Sequence, residues 1–266
     1  MRLSLSIVSH GHGAQVWPLL QALAALAPPR PARVLLTLNL PDAPLAAQVR
    51  AAAWPFELAL LENAAPAGFG ANHNRAFAHD QQRPAPGEAF AVLNPDLQLH
   101  GNPFAPLLAA LAVPGTGCAY PHQCDAQGRP QDHERRLPTP ARLLARYGRG
   151  RRAEVGADAG DGAPPDWVNA AFLVLRAQAY AQIGGFDEGY HMYCEDVDLC
   201  LRLQLAGWQL RRADGACVTH AAQRASHRNL RHLAWHVRSL LRLWASPAYA
   251  QYRRQAHGSQ RPHQPG

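Results

Sequence analysis

The chain contains no lysine, no CxxC pair and no long apolar run. All 26 basic residues are arginine. Alanine and proline are also abundant, which indicates a coding bias, so we attach no function to arginine by itself. The five cysteines cannot all form pairs, because their number is odd. This count and the cysteine spacing argue against a zinc ribbon or a disulfide framework, and they favour a reducing compartment. No segment approaches the ~18 apolar residues of a membrane span, and the first apolar run lacks a signal-peptide cleavage site. We therefore expect a soluble, cytoplasmic protein.

The bulk composition is that of a folded domain. With 266 residues the chain can bury a full core as one domain, with or without a C-terminal appendage. Its 47% hydrophobic and 17% charged residues argue against an intrinsically disordered chain. The net charge of +7 suits nucleic acid, anionic lipid or a phosphorylated small molecule, and charge alone does not choose among these partners.

Strand and helix patterns alternate four times in the first part of the chain. This alternation predicts an α/β layered fold with a mainly parallel sheet. In such sheets ligands bind beyond the carboxyl ends of the strands, where this chain carries its polar clusters. The predicted strands are residues 3–8, 33–38, 56–61 and 89–93, and the polar clusters that follow them are residues 10–13, 63–74 and 94–96.

The second half has a different character. Residues 121–166 are rich in proline, glycine, arginine and aspartate, and only residues 140–148 have a helical pattern. A loop of this length is either a tolerated surface insertion or a functional segment. The remaining predictions are a strand at 167–175, a short strand pair at 209–212 and 216–219 that reaches His220, a helix at 229–244, and a frayed polar tail after Ser246.

Three carboxylates stand at the start of a predicted helix with a leucine-rich continuation. Glu195, Asp196 and Asp198 repel one another, so a purely structural need for all three is hard to see. The helix macrodipole favours acids at this end and explains part of the cluster. The rest points to acid–base chemistry or to metal binding, and this stretch alone leaves the choice open.

Two further segments are candidates for ligand contact. Asp96 follows a buried strand, where it either holds a divalent cation or forms an ordinary Asn-Pro-Asp turn. In GFGANHN, Gly68 and Phe69 belong to a backbone that can approach a phosphate or sugar closely, although the segment is neither GxGxxG nor a P-loop. Asn72 and Asn74 either bind a ligand or cap the helix that begins there.

The histidines near the C-terminus have ordinary explanations as well as functional ones. His220 ends the predicted strand pair and is either a partly buried histidine or a ligand. The HLAWH segment (232–236) has the i, i+4 spacing of a metal pair but lacks the glutamate of a zinc protease, so we interpret it as a helix face. The basic amphipathic helix around it either packs on the domain or lies at a membrane surface.

Taken together, the chain resembles the family 2 glycosyltransferases with a GT-A fold, and among them the rhamnosyltransferase-like bacterial members. The resemblance runs from SIVSHGH to about His220. Any one matching piece is weak, but five in the correct order are specific. These pieces are GFGANHN (68–74), LNPD (93–96), RRLPTPARLLARYG (135–148), DWVNAAFLVLR (166–176) and GGFDEGYHMYCEDVDLCLR (184–202).

The resemblance implies roles for individual residues. Asp96 would hold a divalent cation, Mg²⁺ or Mn²⁺, against the donor diphosphate, and His220 would complete the metal site. Asp196 would be the general base of an inverting transfer, Glu195 would raise its proton affinity or orient the acceptor, and Asp198 would cap the helix or bind an arginine. The implied donor-binding set is Ser9, Gly68, Phe69, Asn72, Asn74, Asn94 and Asp96.

Two positions depart from the family pattern. Leu38 stands where many relatives carry an aspartate that holds the base or ribose, and Ala170 replaces the usual glycine of the WVxGA segment. A nucleotide-sugar-binding protein of the same fold with little or no activity is therefore the alternative. A nucleic-acid-binding protein is a further alternative suggested by charge alone, but the chain carries no known nucleic-acid-reading motif, so we expect no nucleic-acid partner.

The expected protein is thus a transferase with a nucleotide-diphosphate sugar donor. It would transfer a sugar such as rhamnose to a saccharide or lipid-linked saccharide acceptor of the cell envelope. We expect residues 1–222 to form the GT-A domain, with residues 121–166 as its variable acceptor region. Residues 223–266 would form the amphipathic helix and tail, for which a peripheral contact with the cytoplasmic face of the inner membrane is kept open.

Overall fold

The computed structural model of the protein describes residues 1–148, 164–220 and 230–258. Residues 149–163 of the predicted loop, the start of the predicted helix at residue 229, and residues 259–266 of the predicted tail lie outside the described residues. The predicted domain boundary after residue 222 also lies outside them and stays a prediction.

An eight-stranded sheet and a separate strand pair organise the described chain. The strands are β1 (Leu3–Ser9), β2 (Arg33–Leu38), β3 (Glu57–Glu62), β4 (Ala89–Leu93), β5 (Leu97–Leu99), β6 (Thr116–Cys124), β7 (Glu134–Arg135), β8 (Trp167–Val168), β9 (Phe172–Arg176) and β10 (Gln209–His220). The helices are α1 (Gly13–Ala25), α2 (Ala43–Ala51), α3 (Phe69–Gln81), α4 (Phe104–Ala112), α5 (Pro140–Gly148), α6 (Ala177–Gln182), α7 (Glu195–Leu205), α8 (Leu230–Ala245) and α9 (Pro247–Gly258).

The large sheet has the order β3-β2-β1-β4-β9-β6-β10-β5, and β7 pairs with β8. Six strands of the large sheet run in one direction, while β9 and β5 run against their neighbours. The predicted α/β fold with a mainly parallel sheet is therefore confirmed. The carboxyl ends of β1, β4, β6 and β10 meet at one edge, where β9 begins.

Helices cover both faces of this sheet, which explains the near-continuous apolar strands. Along β2, Val34 and Leu36 join one core cluster with α1, α2 and α4, whereas Leu35 joins the other with α3, α6, α7 and α9. Successive side chains of a strand point to opposite faces, so these clusters are the two sides of the sheet.

A buried ion pair connects α3 to the sheet. Asp80 is fully buried and accepts hydrogen bonds from the Arg33 guanidinium, from Ser4 Oγ at 2.6 Å and from the Gly87 amide at 2.8 Å. Its carboxylate is thus well compensated for the loss of water. This contact fixes the helix that follows the GFG segment against β1 and β2.

The prediction of one continuous strand at residues 167–175 is wrong at residues 169–171. The segment forms two strands, β8 and β9, because the chain turns at Asn169. The Asn169 side chain forms a reciprocal amide pair with Gln123, at 2.7 and 3.1 Å, and its Oδ1 accepts from the Ala171 amide at 3.3 Å. These local bonds replace strand pairing for residues 169–171.

The predicted short strand pair at 209–219 is also wrong. These residues form one strand, β10, which runs parallel to β6 with a register shift between Arg212 and Cys217. The glycine at 215 has φ +86°, a backbone conformation that suits a bulge. Small residues at 213–216 therefore mark an irregularity within a strand rather than a hairpin turn.

The tail predicted to fray after Ser246 begins instead with helix α9. Tyr249 is 3% exposed, and the Tyr252 hydroxyl donates to Asp166 Oδ1 at 2.9 Å. These two tyrosines attach α9 beside α7. The polar residues of α9 therefore lie on its outer side, away from the domain. Among the described residues, no helix combines the length and the apolar character needed to cross a membrane.

Candidate active site

A carboxylate and an imidazole meet where β4 and β10 end. Nε2 of His220 lies 3.4 Å from Oδ1 of Asp96, and the two side chains are 12% and 13% exposed. Burial by itself would raise the pKa of Asp96, but the contact and charge of His220, together with His12, outweigh it and lower the pKa. Asp96 is therefore held in its ionised form.

This pair fits the donor set of a divalent cation. Asp96 Oδ1, which faces His220 Nε2 at 3.4 Å, and the other ring nitrogen of His220, Nδ1, are buried atoms that form no hydrogen bond within the described residues. Hard cations often bind one or two protein carboxylates and take further ligands from substrate phosphates and water. Within residues 1–148, 164–220 and 230–258, no group of three or more His, Cys, Asp or Glu side chains could hold a metal alone. A cation here would need ligands beyond this pair.

The loop after β1 forms the neighbouring wall. Ser9 is 1% exposed, and its Oγ accepts from the His12 amide at 3.2 Å. His12 has a pKa lowered mainly by burial and also by His10, while the charge of Asp96 acts in the opposite direction. The Ser9 side chain, predicted to contact the donor, thus shapes the loop that brings His12 toward Asp96.

A second acidic centre lies at the start of α7. Glu195 is 7% exposed, and its Oε2 has no hydrogen-bond partner in the part of the chain that the structure describes. Burial raises the pKa of both Glu195 and Asp196, and the negative charge of Asp196 raises that of Glu195 further. Both carboxyl groups at the start of α7 therefore bind a proton more readily than they would in water.

The backbone before this pair has an unusual conformation. Tyr193 and Cys194 have φ values of 72° and 63°, in the left-handed region that side chains disfavour. The Ser239 hydroxyl donates to the Met192 carbonyl at 2.8 Å, and the Asp198 amide donates to the Cys194 carbonyl at 3.0 Å. Hydrogen bonds before and after residues 193–194 therefore stabilise the turn that directs Glu195 and Asp196 into the protein.

Asp196 has partners that orient it. Its Oδ1 accepts from the Val197 amide at 2.9 Å, and the Ala170 amide also donates to its carboxylate. The guanidinium of Arg135 opposes the effect of burial on the pKa of Asp196 without cancelling it. Arg135 itself lies over the Trp167 ring at 5.1 Å. Asp196 is thus a fixed carboxylate with increased proton affinity.

One turn connects the two centres. The Asn94 amide donates to the Ala171 carbonyl at 2.8 Å, which places the Asn94–Asp96 segment against the turn at 169–171. The same turn supplies the Ala170 amide to Asp196. The ionised carboxylate and the proton-accepting carboxylate therefore belong to one structural unit at the sheet edge.

Comparison with known proteins decides the family. No protein-family model matches the chain. Over 190 residues it is 30% identical to rhamnosyltransferase WbbL of Escherichia coli strain K12, covering 67% of this chain and 70% of that protein. The chain belongs to the rhamnosyltransferase-like family 2 glycosyltransferases. The N-acetylglucosaminyl-diphospho-decaprenol L-rhamnosyltransferase of Mycobacterium tuberculosis is 32% identical over 261 residues, covering 89% of this glycosyltransferase and 82% of the relative.

Solved structures support the fold. GalNAc-T7 with UDP, GalNAc and Mn²⁺ has a TM-score of 0.61 at 15% identity, over 82% of this chain and 43% of that one. The mannosyltransferase PcManGT from Pyrobaculum calidifontis, in complex with GDP-Man and Mn²⁺, has a TM-score of 0.59 at 15% identity, over 98% and 76%. At such low identity these matches show the shared GT-A fold alone.

The GFG segment of this glycosyltransferase contacts protein rather than opening toward a ligand. A Cβ at Gly68 would lie 2.9 Å from the His191 carbonyl oxygen, and one at Gly70 would lie 2.5 Å from the Phe186 side chain. The Phe69 amide donates to the same His191 carbonyl at 3.0 Å. The close approach that these glycines permit is thus an approach to the segment leading into α7.

Asn72 holds the same wall of the glycosyltransferase cleft. It is 1% exposed; its amide nitrogen donates to the Gly68 carbonyl at 2.9 Å, and its oxygen accepts from Asn63 at 2.6 Å. Asn39 continues this network, since its Oδ1 accepts from Asn63 at 2.8 Å and its nitrogen contacts His10 at 2.9 Å. The Asn72 side chain thus makes hydrogen bonds within the protein through both its nitrogen and its oxygen. Its predicted donor contact stays a prediction.

Asn74 connects α3 to the loop after α6. Its Oδ1 accepts from the Tyr180 hydroxyl at 2.6 Å and the Phe186 amide at 2.9 Å, and its nitrogen donates to Phe186 and Glu188. The structure therefore gives Asn74 a positioning contact where the sequence predicted a donor contact. An open cavity of about 690 Å³ lies along this side of α3 and includes neither Asp96 nor Asp196 in its lining.

Asp198 is separate from the other two acids. Its Oδ2 accepts from Arg202 Nε at 2.7 Å, and its side chain is 4% exposed. This contact is the arginine binding that was expected for Asp198 as the alternative to helix capping. Sequence reasoning gave no role to His12 or Arg135, although HGH and the RRLP segment were both visible as motifs.

The raised pKa of Glu195 predicts a stability gain on neutralisation. The folded protein binds the carboxyl proton of Glu195 more tightly than the unfolded chain does. The free energy of unfolding therefore has its full value at low pH and decreases as the pH rises above the ordinary Glu pKa of about 4.3. At pH 8 we expect Glu195→Gln to be more stable than the parent and to unfold at a higher temperature. The gain in the free energy of unfolding should be up to about 1.4 kcal/mol for each pKa unit by which folding raises the pKa of Glu195. The difference should shrink toward pH 4.

Thermal unfolding monitored by circular dichroism at both pH values measures this effect. Glu62→Gln is the matched control, because Glu62 is 55% exposed and pairs with Arg50, itself 60% exposed. A substitution at such an exposed site is expected to change the free energy of unfolding by no more than about 0.5 kcal/mol. A parent protein whose stability rises between pH 5 and pH 8 relative to Glu195→Gln contradicts the assignment.

Proposed function

We propose that this glycosyltransferase is metal-dependent and inverting, and that it transfers a deoxyhexose such as rhamnose from a nucleoside-diphosphate donor to a saccharide on a lipid diphosphate. The support for donor and acceptor comes from the relatives. One is named an N-acetylglucosaminyl-diphospho-decaprenol L-rhamnosyltransferase, and solved structures of the same fold were obtained with UDP, GDP-Man and Mn²⁺.

The observation that carries the proposal is the pair of unlike carboxylates joined through the turn at 169–171. Asp96 has a lowered pKa and stays ionised, which suits binding of a cation. Asp196 has a raised pKa, which suits a group that must take up a proton. Two carboxylates whose surroundings shift their pKa values in opposite directions have separate tasks.

In the proposed reaction Asp196 accepts the proton of an acceptor hydroxyl. The hydroxyl oxygen attacks the anomeric carbon from the face opposite the nucleotide, and the bond to the diphosphate oxygen breaks with its electron pair leaving on the diphosphate. The Val197 and Ala170 amides keep the Asp196 carboxylate oriented. Glu195, whose pKa is raised by burial and by the charge of Asp196, lies beside it as the second carboxyl group of this centre. The charge of Arg135 keeps Asp196 in its base form before transfer.

A divalent cation, when bound, would offset the negative charge that develops on the leaving diphosphate. Asp96 and His220 are the residues that would hold it, and the 3.4 Å approach of His220 Nε2 to Asp96 Oδ1 supports this role. Of the predicted donor-binding set, we keep Asn94 and Asp96 as donor contacts. Ser9, Gly68, Phe69, Asn72 and Asn74 would act by holding the walls of the cleft.

Product formation tests the proposal. Purified protein is incubated with Mn²⁺, a panel of UDP-, GDP- and dTDP-sugars and a synthetic diphospholipid-linked N-acetylglucosamine, and products are identified by mass spectrometry. We expect transfer from one donor, loss of transfer on chelation, and a glycosidic bond of anomeric configuration opposite to that of the donor. Donor binding in calorimetry without transfer over many hours would instead favour a non-catalytic nucleotide-sugar-binding protein.

A peripheral contact with the cytoplasmic face of the inner membrane is also part of this proposal. It would bring the active site to an acceptor that is anchored in lipid.

A further inference from the structure

Helix α8 exposes a stripe of large aliphatic side chains. Leu233 is 50% exposed, Val237 49% and Leu241 59%. They are spaced four residues apart, so they lie on one side of the helix along about two turns. Single exposed apolar residues are ordinary, but a continuous row on one helix marks a contact surface.

Arginines border this stripe. Arg238 and Arg242 each follow a stripe residue by one position, which places them about 100° further around the helix. Both are exposed. Arg242 also reaches Asp187 at 2.7 Å, and Arg231, which has the same place in the helical repeat, lies over the Trp235 ring at 4.8 Å. The stripe and its basic border form an amphipathic surface.

The opposite side of α8 is fixed to the protein. Leu243 is fully buried, and Ser239 donates to the Met192 carbonyl. Beyond the end of the stripe, the Trp244 ring nitrogen donates to the Pro138 carbonyl at 2.8 Å. The Tyr193 hydroxyl and His232 Nδ1 are 2.9 Å apart. The helix is therefore anchored through residues other than the stripe, and the stripe contributes little to the core.

We propose that the stripe formed by Leu233, Val237 and Leu241 lies on the surface of an anionic lipid bilayer, with Arg238 and its neighbours against the headgroups. An apolar row bordered by arginines is complementary to the acyl boundary and the negative headgroups of such a surface. Three half-exposed aliphatic side chains fall well below the roughly 800 Å² per partner of a stable protein interface. A bilayer, unlike a second copy of the chain, needs no shape complementarity.

The position of α8 gives this docking a consequence for the reaction. The segment at 191–194, which contacts the inner side of α8, leads directly into Glu195 and Asp196. Docking would hold the second acidic centre close to the membrane surface. This consequence rests on the proposed function, whereas the docking itself does not.

Vesicle sedimentation tests the docking. The full chain is mixed with vesicles of phosphatidylcholine alone or of equal parts phosphatidylethanolamine and phosphatidylglycerol. We expect binding to the anionic vesicles only, a loss of more than tenfold for the combined Leu233→Ser, Val237→Ser and Leu241→Ser variant, and a loss of about fivefold for Arg238→Gln, the contribution of one basic residue near an anionic surface. Val113→Ser, an exposed apolar residue elsewhere, is the matched control and should bind like the parent.

Two readouts keep the outcome interpretable. Unfolding temperatures show whether each variant is folded, and light scattering shows whether the parent is a dimer that the triple variant dissociates. Equal binding of parent and folded triple variant, or dissociation of a dimer without any vesicle binding, overturns the proposal. Transfer to a short, water-soluble acceptor should be unchanged in the triple variant. If the parent itself lacks that transfer, the proposed function fails while the vesicle result still decides the docking.

Discussion

Asp196→Asn is expected to lower the turnover number by about 10²–10⁴-fold, the usual contribution of a positioned general base. Asparagine has nearly the same shape, and its oxygen can still accept from the Val197 and Ala170 amides, so the turn at 169–171 should keep its structure. The variant lacks only a site for the acceptor proton. Turnover is measured with a saturating donor, and donor affinity by calorimetry, which should change little.

Asp198→Asn is the matched control for this change. It lies two residues further along α7, but its carboxylate is occupied by Arg202 at 2.7 Å. Loss of that pair should reduce the free energy of unfolding while the folded molecules retain turnover. If folded Asp198→Asn protein lost turnover and Asp196→Asn protein kept it, the base would be wrongly assigned even though the family is correct.

The first half of the fold was predictable because its strands are local apolar runs buried on both faces. The strands at Arg33–Leu38 and Ala89–Leu93 have the predicted bounds, and every residue in both is buried. Helix α5 at Pro140–Gly148 also matches its prediction. In these segments the local pattern and the tertiary surroundings favour the same structure, and this agreement makes a sequence informative.

Other elements depend on contacts that a local pattern does not contain. The division of 167–175 into β8 and β9 follows from the reciprocal pair of Asn169 with Gln123, a residue 46 positions away. The helix α9 is held by two tyrosines that reach Pro138 and Asp166. The hydrogen-bonding capacity of these side chains was visible in the sequence, but their partners were not.

The site itself was predicted unequally. Asp96 and the acids of α7 were selected from the sequence as candidate site residues, and their roles stay predictions. The shared turn could not be predicted, because it requires β9 to lie antiparallel beside β4. Gly68 was expected to approach a ligand, since glycine permits close approach to any backbone or ligand. The sequence does not show whether the group that approaches Gly68 is a ligand or another part of the backbone. In the structure it is the backbone of His191.

The Ala170 substitution has a physical reading in this structure. Its methyl group is 6% exposed within the core cluster that includes Trp167 and Val197, so it fills protein space. Its amide remains directed at Asp196. Leu38 is likewise 2% exposed in the opposite core cluster, and the neighbouring Asn39 instead contacts His10. Replacing the family's usual residues at these positions therefore leaves both carboxylate centres intact.

Asp96→Asn is expected to weaken Mn²⁺-dependent donor binding by at least about 10–100-fold, since changes even to groups behind a metal ligand have effects of this size. Asparagine keeps one oxygen beside His220 but removes the negative charge that the lowered pKa maintains. The loss should appear in calorimetric titrations of donor with Mn²⁺ and should be small with Mn²⁺ omitted. Turnover should fall with it.

The dependence on the metal separates a ligand from a merely structural aspartate. Asp42→Asn is the control, because Asp42 caps α2 by accepting from the Leu45 amide at 3.1 Å and asparagine caps a helix about as well. That variant should bind the donor like the parent in both conditions. A loss for Asp96→Asn that is equal with and without Mn²⁺ would mean that Asp96 contacts the donor or supports the fold directly. The cation would then have to be held elsewhere, because His220 alone would leave it a single protein ligand at this edge of the sheet.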